Sequence, residues 1–144
     1  MKTVADLLGA KKTAVWSTTP DTSVFDAVTM MAEKNVGALP VLKNDRLVGI
    51  FSERDYARKI ILKGKTSRET AVHEIMTANV VSIRPDETVE RCMSLMTEKH
   101  FRHLPVVESD RLVGIISIGD VVKSVIEEQE ATISHLQGYI TGQR

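Results

Sequence analysis

Two stretches decide how this chain is read: RLVGIFSERD at Arg46–Asp55 and RLVGIISIGD at Arg111–Asp120. Each is an apolar run closed by a serine, with an aspartate three residues further on. A buried strand accounts for the apolar half. It leaves the polar pair at its end unexplained.

The stretches stand at an offset of 65 residues, from Arg46 to Arg111, and the match extends outward from both. Val15 pairs with Val80, Ser17 with Ser82, Pro20-Asp21 with Pro85-Asp86 and Val24 with Val89. Met31 pairs with Met96, Glu33-Lys34 with Glu98-Lys99, and Leu39-Pro40-Val41 with Leu104-Pro105-Val106. Asp45–Ile50 then recurs residue for residue as Asp110–Ile115. No gap is needed, so the chain is an internal duplication. A weaker echo lies upstream, where VADLL (Val4–Leu8) resembles VHEIM (Val72–Met76) with three extra residues before the next strand.

One copy can be read for both. VWSTTPD (Val15–Asp21) and VVSIRPD (Val80–Asp86) predict a short strand stopped by proline, with an Asp or Thr free to cap a helix. Val24, Ala27, Val28 and Met31 recur at helical spacing, as do Val89, Cys92, Met93 and Met96, giving one apolar stripe per helix. ALPVLKNDRLVGIFS and HLPVVESDRLVGIIS each predict a hairpin, turning at Asn44-Asp45 and Ser109-Asp110. A second helix follows each Ser-x-x-Asp, over about Asp55–Lys63 and from about Asp120 onward. The fold expected is α/β of the α+β kind: two β-α-β-β-α repeats (8–65 and 73–126) and a C-terminal helical extension (127–144). A copy of about 60 residues is marginal alone. Packing two sheet to sheet about a pseudo-twofold axis would bury the face each leaves open, with Leu62–Thr70 as polar linker.

Composition narrows the function. Nineteen basic residues balance nineteen acidic ones, which argues against the basic footprint of a nucleic-acid or anionic-membrane binder. No run approaches the ~20 apolar residues of a membrane span, and the N-terminus lacks a signal-peptide core. The single Cys92 forms no intrachain disulfide. A soluble cytoplasmic protein is expected.

The Ser-x-x-Asp corner lies where a strand ends and a helix begins, a place that favours anions. Two readings stay open. Ser52 and Ser117 cap their helices while Asp55 and Asp120 complement the dipole; or each carboxylate accepts two hydrogen bonds from a vicinal diol such as a ribose.

The recurrence of GALPV and RHLPV, followed by RLVGIFSERD and RLVGIISIGD, resembles a pair of CBS domains, the regulatory module named after cystathionine β-synthase. The likeness covers about Leu8–Ser124. It implies a pseudosymmetric module whose clefts hold adenosine-containing ligands, with the Asp on the ribose and the adenine beside the residues before the opposite Leu-Pro. Carried onto this chain, one site combines Val15, Val36, Gly37, Ala38 and Pro40 with Ser117, Gly119 and Asp120. The other combines Val80, Phe101, Arg102, His103 and Pro105 with Ser52, Arg54 and Asp55. Arg54, Arg102 and His103 make the second site the more cationic, suited to the more phosphorylated ligand or larger dinucleotide; a solvated or ion-paired surface role for Arg54 and Arg102 stays open.

The resemblance implies a non-catalytic sensor of an adenine nucleotide (AMP, ATP or NAD(H)) that signals to a separate effector protein. The alternative is a structural or protein-interaction module with vestigial nucleotide sites. His73, His100, His103 and His135 with Cys92 lack zinc-site spacing, so no metal is expected. Cys92, on the inward stripe, reads as a core residue, and Trp16 as packing or a base-stacking platform. No catalytic motif is evident. Val121, Val122, Val125, Ile126, Ile133, Leu136 and Ile140 outline an amphipathic tail that either folds back or packs on another subunit. A homodimer with the tail contributing is expected.

Overall fold

The computed structural model describes residues 2–11 and 15–140. In chain order these form α1 (Val4–Lys11), α2 (Val24–Lys34), β1 (Ala38–Lys43), β2 (Arg46–Ser52) and α3 (Glu53–Tyr56), which runs on as a π-helical turn over Ala57–Ile61. Then follow α4 (Val72–Ile75), α5 (Val89–Lys99), β3 (His103–Glu108), β4 (Arg111–Ser117) and α6 (Ile118–Ile140). Positions 141–144 of the expected extension lie outside the described residues.

Local chemistry sets these boundaries in both repeats alike. Ser23 Oγ accepts from the Asp26 N–H (3.1 Å) to cap α2, and Thr88 Oγ1 accepts from the Arg91 N–H (3.2 Å) to cap α5. Both helices stop on a left-handed residue, Asn35 (φ 54°) and His100 (φ 58°), which turns the chain into the next strand. Asn44-Asp45 and Ser109-Asp110 all have positive φ. That is a type I′ turn, whose twist matches the strands it joins. Each hairpin shifts register once, after Val41 and after Val106.

Three expectations need correction. The strand before each proline is a single parallel bridge, Thr18 to Val41 and Ile83 to Val106. Thr18 N–H donates to the Pro40 carbonyl (3.0 Å) and its carbonyl accepts from Leu42 N–H (2.9 Å). The next rung would need the N–H of Pro20 or Pro85, which proline lacks. The helices after the serines start at Glu53 and Ile118, before the aspartates. Met93 lies off the inward stripe of α5 at 41% exposure, and Leu95 is buried instead. The Leu62–Thr70 linker is docked: Ser67 and Thr70 carbonyls accept from Phe25 and Val24 N–H (2.9 and 2.8 Å).

Each repeat has its own core. Val24, Ala27, Met31, Leu39, Val41 and Phe51 build the first; Ile83, Val89, Cys92, Met96, Leu104, Val106 and Ile116 build the second. What closes each core comes from across the molecule. Val4 and Leu7 of α1 complete the second, while Val72 and Ile75 of α4 complete the first. The docking is duplicated too: Ala5 N–H donates to the Pro85 carbonyl (2.9 Å) and His73 N–H to the Pro20 carbonyl (3.0 Å). Burying a Val, Leu or Ile side chain contributes about 1.5–3 kcal/mol, so these short segments add substantially to each core.

This exchange explains the glycine in both LVGI runs. A Cβ on Gly49 would meet Met76 Sδ at 2.5 Å and the Thr77 carbonyl at 3.0 Å; one on Gly114 would meet Leu8 Cδ2 at 2.5 Å. Strand and crossing segment approach too closely, through backbone as well as side chain at Gly49, to leave room for a methyl. Gly49→Ala is expected to destabilise by about 1–3 kcal/mol, because backbone must move. Gly114→Ala should cost less, since only the mobile end of Leu8 opposes it. Urea denaturation of both variants checks the order; equal losses would rule out the Thr77 contact as its cause.

Candidate functional sites in two inter-repeat clefts

The left-handed ends of α2 and α5 deliver Val36–Ala38 and Phe101–His103 to the space between the repeats. The serine ends of β2 and β4 arrive from the opposite side. One cleft, of about 430 Å³, brings Val36, Gly37 and Ala38 of the first repeat together with Ser117 and Asp120 of the second. The other, of about 540 Å³, brings Phe101, Arg102 and His103 together with Ser52, Arg54 and Asp55. It adjoins a further hollow of about 450 Å³ where Arg54, Arg58 and Arg102 meet.

Other residues named from the sequence stand elsewhere. Val15, Gly119 and Val80 do not line these clefts, and Pro40 and Pro105 are buried within β1 and β3. His103, assigned to one cleft, lines both, as does Gly37. Several wall residues escaped sequence reasoning: Lys11, Lys34 and Asn35 in the first cleft, and Arg58, Lys59, Thr77, Lys99 and His100 in the second. Some left a signal. Lys34 and Lys99 recur at the repeat offset, and Lys59 lies four residues after Asp55, one helical turn away. Lys11 left none, because it belongs to neither matched segment. Trp16 lines the first cleft with Lys34 4.2 Å above its ring.

Both aspartates cap, and both face a lysine. Ser52 N–H and Oγ donate to Asp55 Oδ2 (3.0 and 3.1 Å), and Asp55 N–H returns a bond to Ser52 Oγ (3.2 Å). Lys59 Nζ stands 3.2 Å from Asp55 Oδ1, and Thr77 Oγ1 donates to that oxygen at 3.4 Å. In the second repeat Ser117 N–H donates to Asp120 Oδ2 (2.8 Å) and Asp120 N–H to Ser117 Oγ (3.1 Å). Lys11 Nζ donates to the same Oδ2 at 3.0 Å.

Charge divides the clefts. In the first, Lys11 is held by Asp120 and Lys34 by the Trp16 ring. In the second, Arg54, Arg58, Arg102 and Lys99 form no ion pair among the described residues, and Arg54 Nη1 donates only to the His100 carbonyl (3.5 Å). Unpaired guanidinium groups suit a multiply charged anion. His103, at the shared wall, is held below its ordinary value of 6.5, first by burial and then by the Lys11 charge. Burial, with the charges of Glu87 and Glu90, pushes the Cys92 thiol up to about 11, which suits a core residue and not a nucleophile. Among the described residues no group of three or more His, Cys, Asp or Glu is placed to hold a metal, and no helix is long and apolar enough to cross a membrane.

Burial would raise the Asp120 carboxyl, but the Ser117 N–H bond and the Lys11 ammonium outweigh it and hold the group below its ordinary value of 3.8. A depressed folded-state carboxylate contributes stability that is full above its unfolded pKa and is lost as pH falls through the folded one. Wild type should therefore exceed Asp120→Asn in urea stability near neutrality, and the gap should close as pH falls below about 4. A pH-independent gap would assign the loss to something other than this charge.

Comparison with known proteins agrees with the geometry. The family model described as CBS domain matches twice, at residues 4–62 and 72–127. The chain is 43% identical over 150 residues to the CBS domain-containing protein CBSX3, mitochondrial, of Arabidopsis thaliana, covering 97% of this chain and 72% of that one. The mitochondrial name of that relative is a compartment the cytoplasmic expectation did not consider. A CBS-domain protein of Burkholderia ambifaria superposes with TM-score 0.85 at 48% identity, over 89% of this chain and 96% of that one. CBSX2, solved in complex with AMP, superposes at 0.73 with 29% identity, over 90% and 99% of the two chains. The CBS pair of MJ0100, solved with 5′-methylthioadenosine and S-adenosyl-L-methionine, superposes at 0.79 with 25% identity, over 89% and 98%. By its duplicated motifs, its fold and these matches, the chain belongs to the CBS-domain family, as a tandem pair.

Proposed function

We propose that the chain is a non-catalytic sensor that binds adenine nucleotides, with AMP, ATP and NAD(H) as candidates, in its two clefts and signals to a separate effector protein. One observation carries the reading. A Ser-x-x-Asp corner of one repeat faces the first strand residues of the other, and this recurs in both clefts. Such an arrangement offers a carboxylate to ribose hydroxyls and backbone groups to a base. The neighbours solved with AMP and with S-adenosyl-L-methionine have adenosine in common, which supports that class. Binding can carry a signal only if the ligand favours one arrangement of the repeats over another.

The clefts are not equal in this reading. The Asp55 cleft, with Arg54, Arg58 and Arg102, takes the more phosphorylated ligand, and the Asp120 cleft the less charged one. A second reading, vestigial clefts in a protein-interaction module, is favoured by one feature: both Asp55 oxygens are already engaged within the chain. We further propose a cytoplasmic protein, as expected from the sequence, and a homodimer, because α6 beyond its Lys2–Glu127 pair leaves Ile133 and Leu136 at 54% and 53% exposure.

A thermal-shift panel of AMP, ADP, ATP, NAD, NADH and S-adenosylmethionine tests the sensor, since a ligand of the native state raises its melting temperature. No shift with any of them would favour the vestigial reading. Arg54→Ala with Arg102→Ala should weaken ATP about tenfold or more while changing AMP binding at the Asp120 cleft little. Equal loss of both would end the asymmetry. Truncation after Ile126, followed by light scattering, should lower the dimer fraction; an unchanged dimer would remove the tail from that role.

A further inference from the structure

Lys11, the last residue of α1, enters the first cleft from the N-terminal segment, ahead of the helix and hairpin of the first repeat. Its Nζ donates to the Ile115 carbonyl (3.1 Å) and to Asp120 Oδ2 (3.0 Å). The ammonium thus stands on the carboxylate that the sensor reading assigns to ribose. The second cleft answers the same electrostatic need locally. There Lys59, one turn after Asp55, donates to the Ile75 carbonyl (3.0 Å) and pairs with Asp55 Oδ1 (3.2 Å). The position matching Lys59 in the second repeat, at the same offset of 65, is Ser124, a buried hydroxyl with no partner among the described residues. α1 therefore supplies, by tertiary contact, the lysine that the second repeat lacks.

The two carboxylates differ in what they leave open. Asp55 Oδ2 is taken by Ser52 and Oδ1 by Lys59 and Thr77, and its side chain is 11% exposed. Asp120 Oδ2 is taken by Ser117 and Lys11, no described residue donates to Oδ1, and the side chain is 23% exposed. A vicinal diol can use that open oxygen, and it competes with Lys11 for the other. Lys11 is a compact charge on a flexible stem and can turn aside. It does so at low cost only if the ligand brings a new anion, since a partly buried ammonium stripped of its partner is destabilised. A phosphate on the same ribose is such an anion. An unphosphorylated nucleoside has none.

We infer that Lys11 sets the specificity of the Asp120 cleft: it covers the carboxylate in the empty protein and yields it to ribose when the ligand's phosphate receives the ammonium, so the cleft selects adenosine phosphates over adenosine. This rests on the nucleotide-sensor reading of the same cleft.

Trp16 is the sole tryptophan and lines this cleft, so its fluorescence reports on it. AMP and adenosine are titrated into full-length wild type, Lys11→Met and Lys2→Met, with unfolding checked by thermal melt. Lys2 lies just before α1 and pairs with Glu127 (3.7 Å), so its variant controls for the seating of that helix. Wild type and Lys2→Met should prefer AMP by about tenfold or more. Lys11→Met should erase most of that preference, weakening AMP while leaving adenosine equal or tighter because Asp120 is uncovered. An unchanged preference, an equal loss of both ligands, or the same collapse in Lys2→Met would each overturn the assignment. If neither ligand bound to wild type by fluorescence or calorimetry, the sensor reading itself would fall, and this one with it.

Discussion

Each hairpin of this protein offers an apolar face that two strands and one helix cannot close, and the segment that closes it lies on the far side of the molecule. Val4 and Leu7 complete the second core, while Val72 and Ile75 complete the first. The rest of the architecture follows from that exchange. Neither repeat is complete without a segment threaded past the other, so the two are held in one arrangement and the space between them is defined. The clefts are what that arrangement leaves unfilled. Glycine in the middle of β2 and β4 is the local cost of the crossing, tolerated because a strand next to a crossing segment cannot carry a methyl there.

Capping and the proposed ligand recognition draw on the same atoms. Ser52 and Ser117 each use the hydroxyl to receive a helical N–H, and each aspartate returns a carboxylate oxygen to the serine backbone. A capped corner is rigid, which holds the carboxylate in place before any ligand arrives and lowers the ordering cost of binding. The lysines opposite them pair with these carboxylates, Lys59 with Asp55 and Lys11 with Asp120. Because one lysine is local and the other comes from α1, the two corners are alike in backbone and unlike in the lysine that faces them.

Much was legible in the residues alone. The duplication, the hairpins and the positions of their turns, the helical stripes and the cross-repeat composition of each cleft can all be traced to spacing or to the family likeness. Where expectation and structure differ, a physical reason is at hand. The strands before Pro20 and Pro85 shrink to one bridge because a parallel rung needs a proline N–H that does not exist. Met93 was placed inward by a spacing that Leu95 satisfies better, and Lys34 and Lys99 were visible as a repeated pair whose direction a pattern does not reveal.

By itself, the sequence determined everything that depends on neighbours along the chain: caps, turns, helix faces, and the recurrence of Ser-x-x-Asp. Only the tertiary structure decided which helix covers which core, that His103 and Gly37 form a wall common to both clefts, and that Lys11 meets Asp120 across 109 residues. Those are contacts between surfaces with no shared periodicity. Spacing encodes the face a residue occupies on its own element; it carries no record of the element that face will meet.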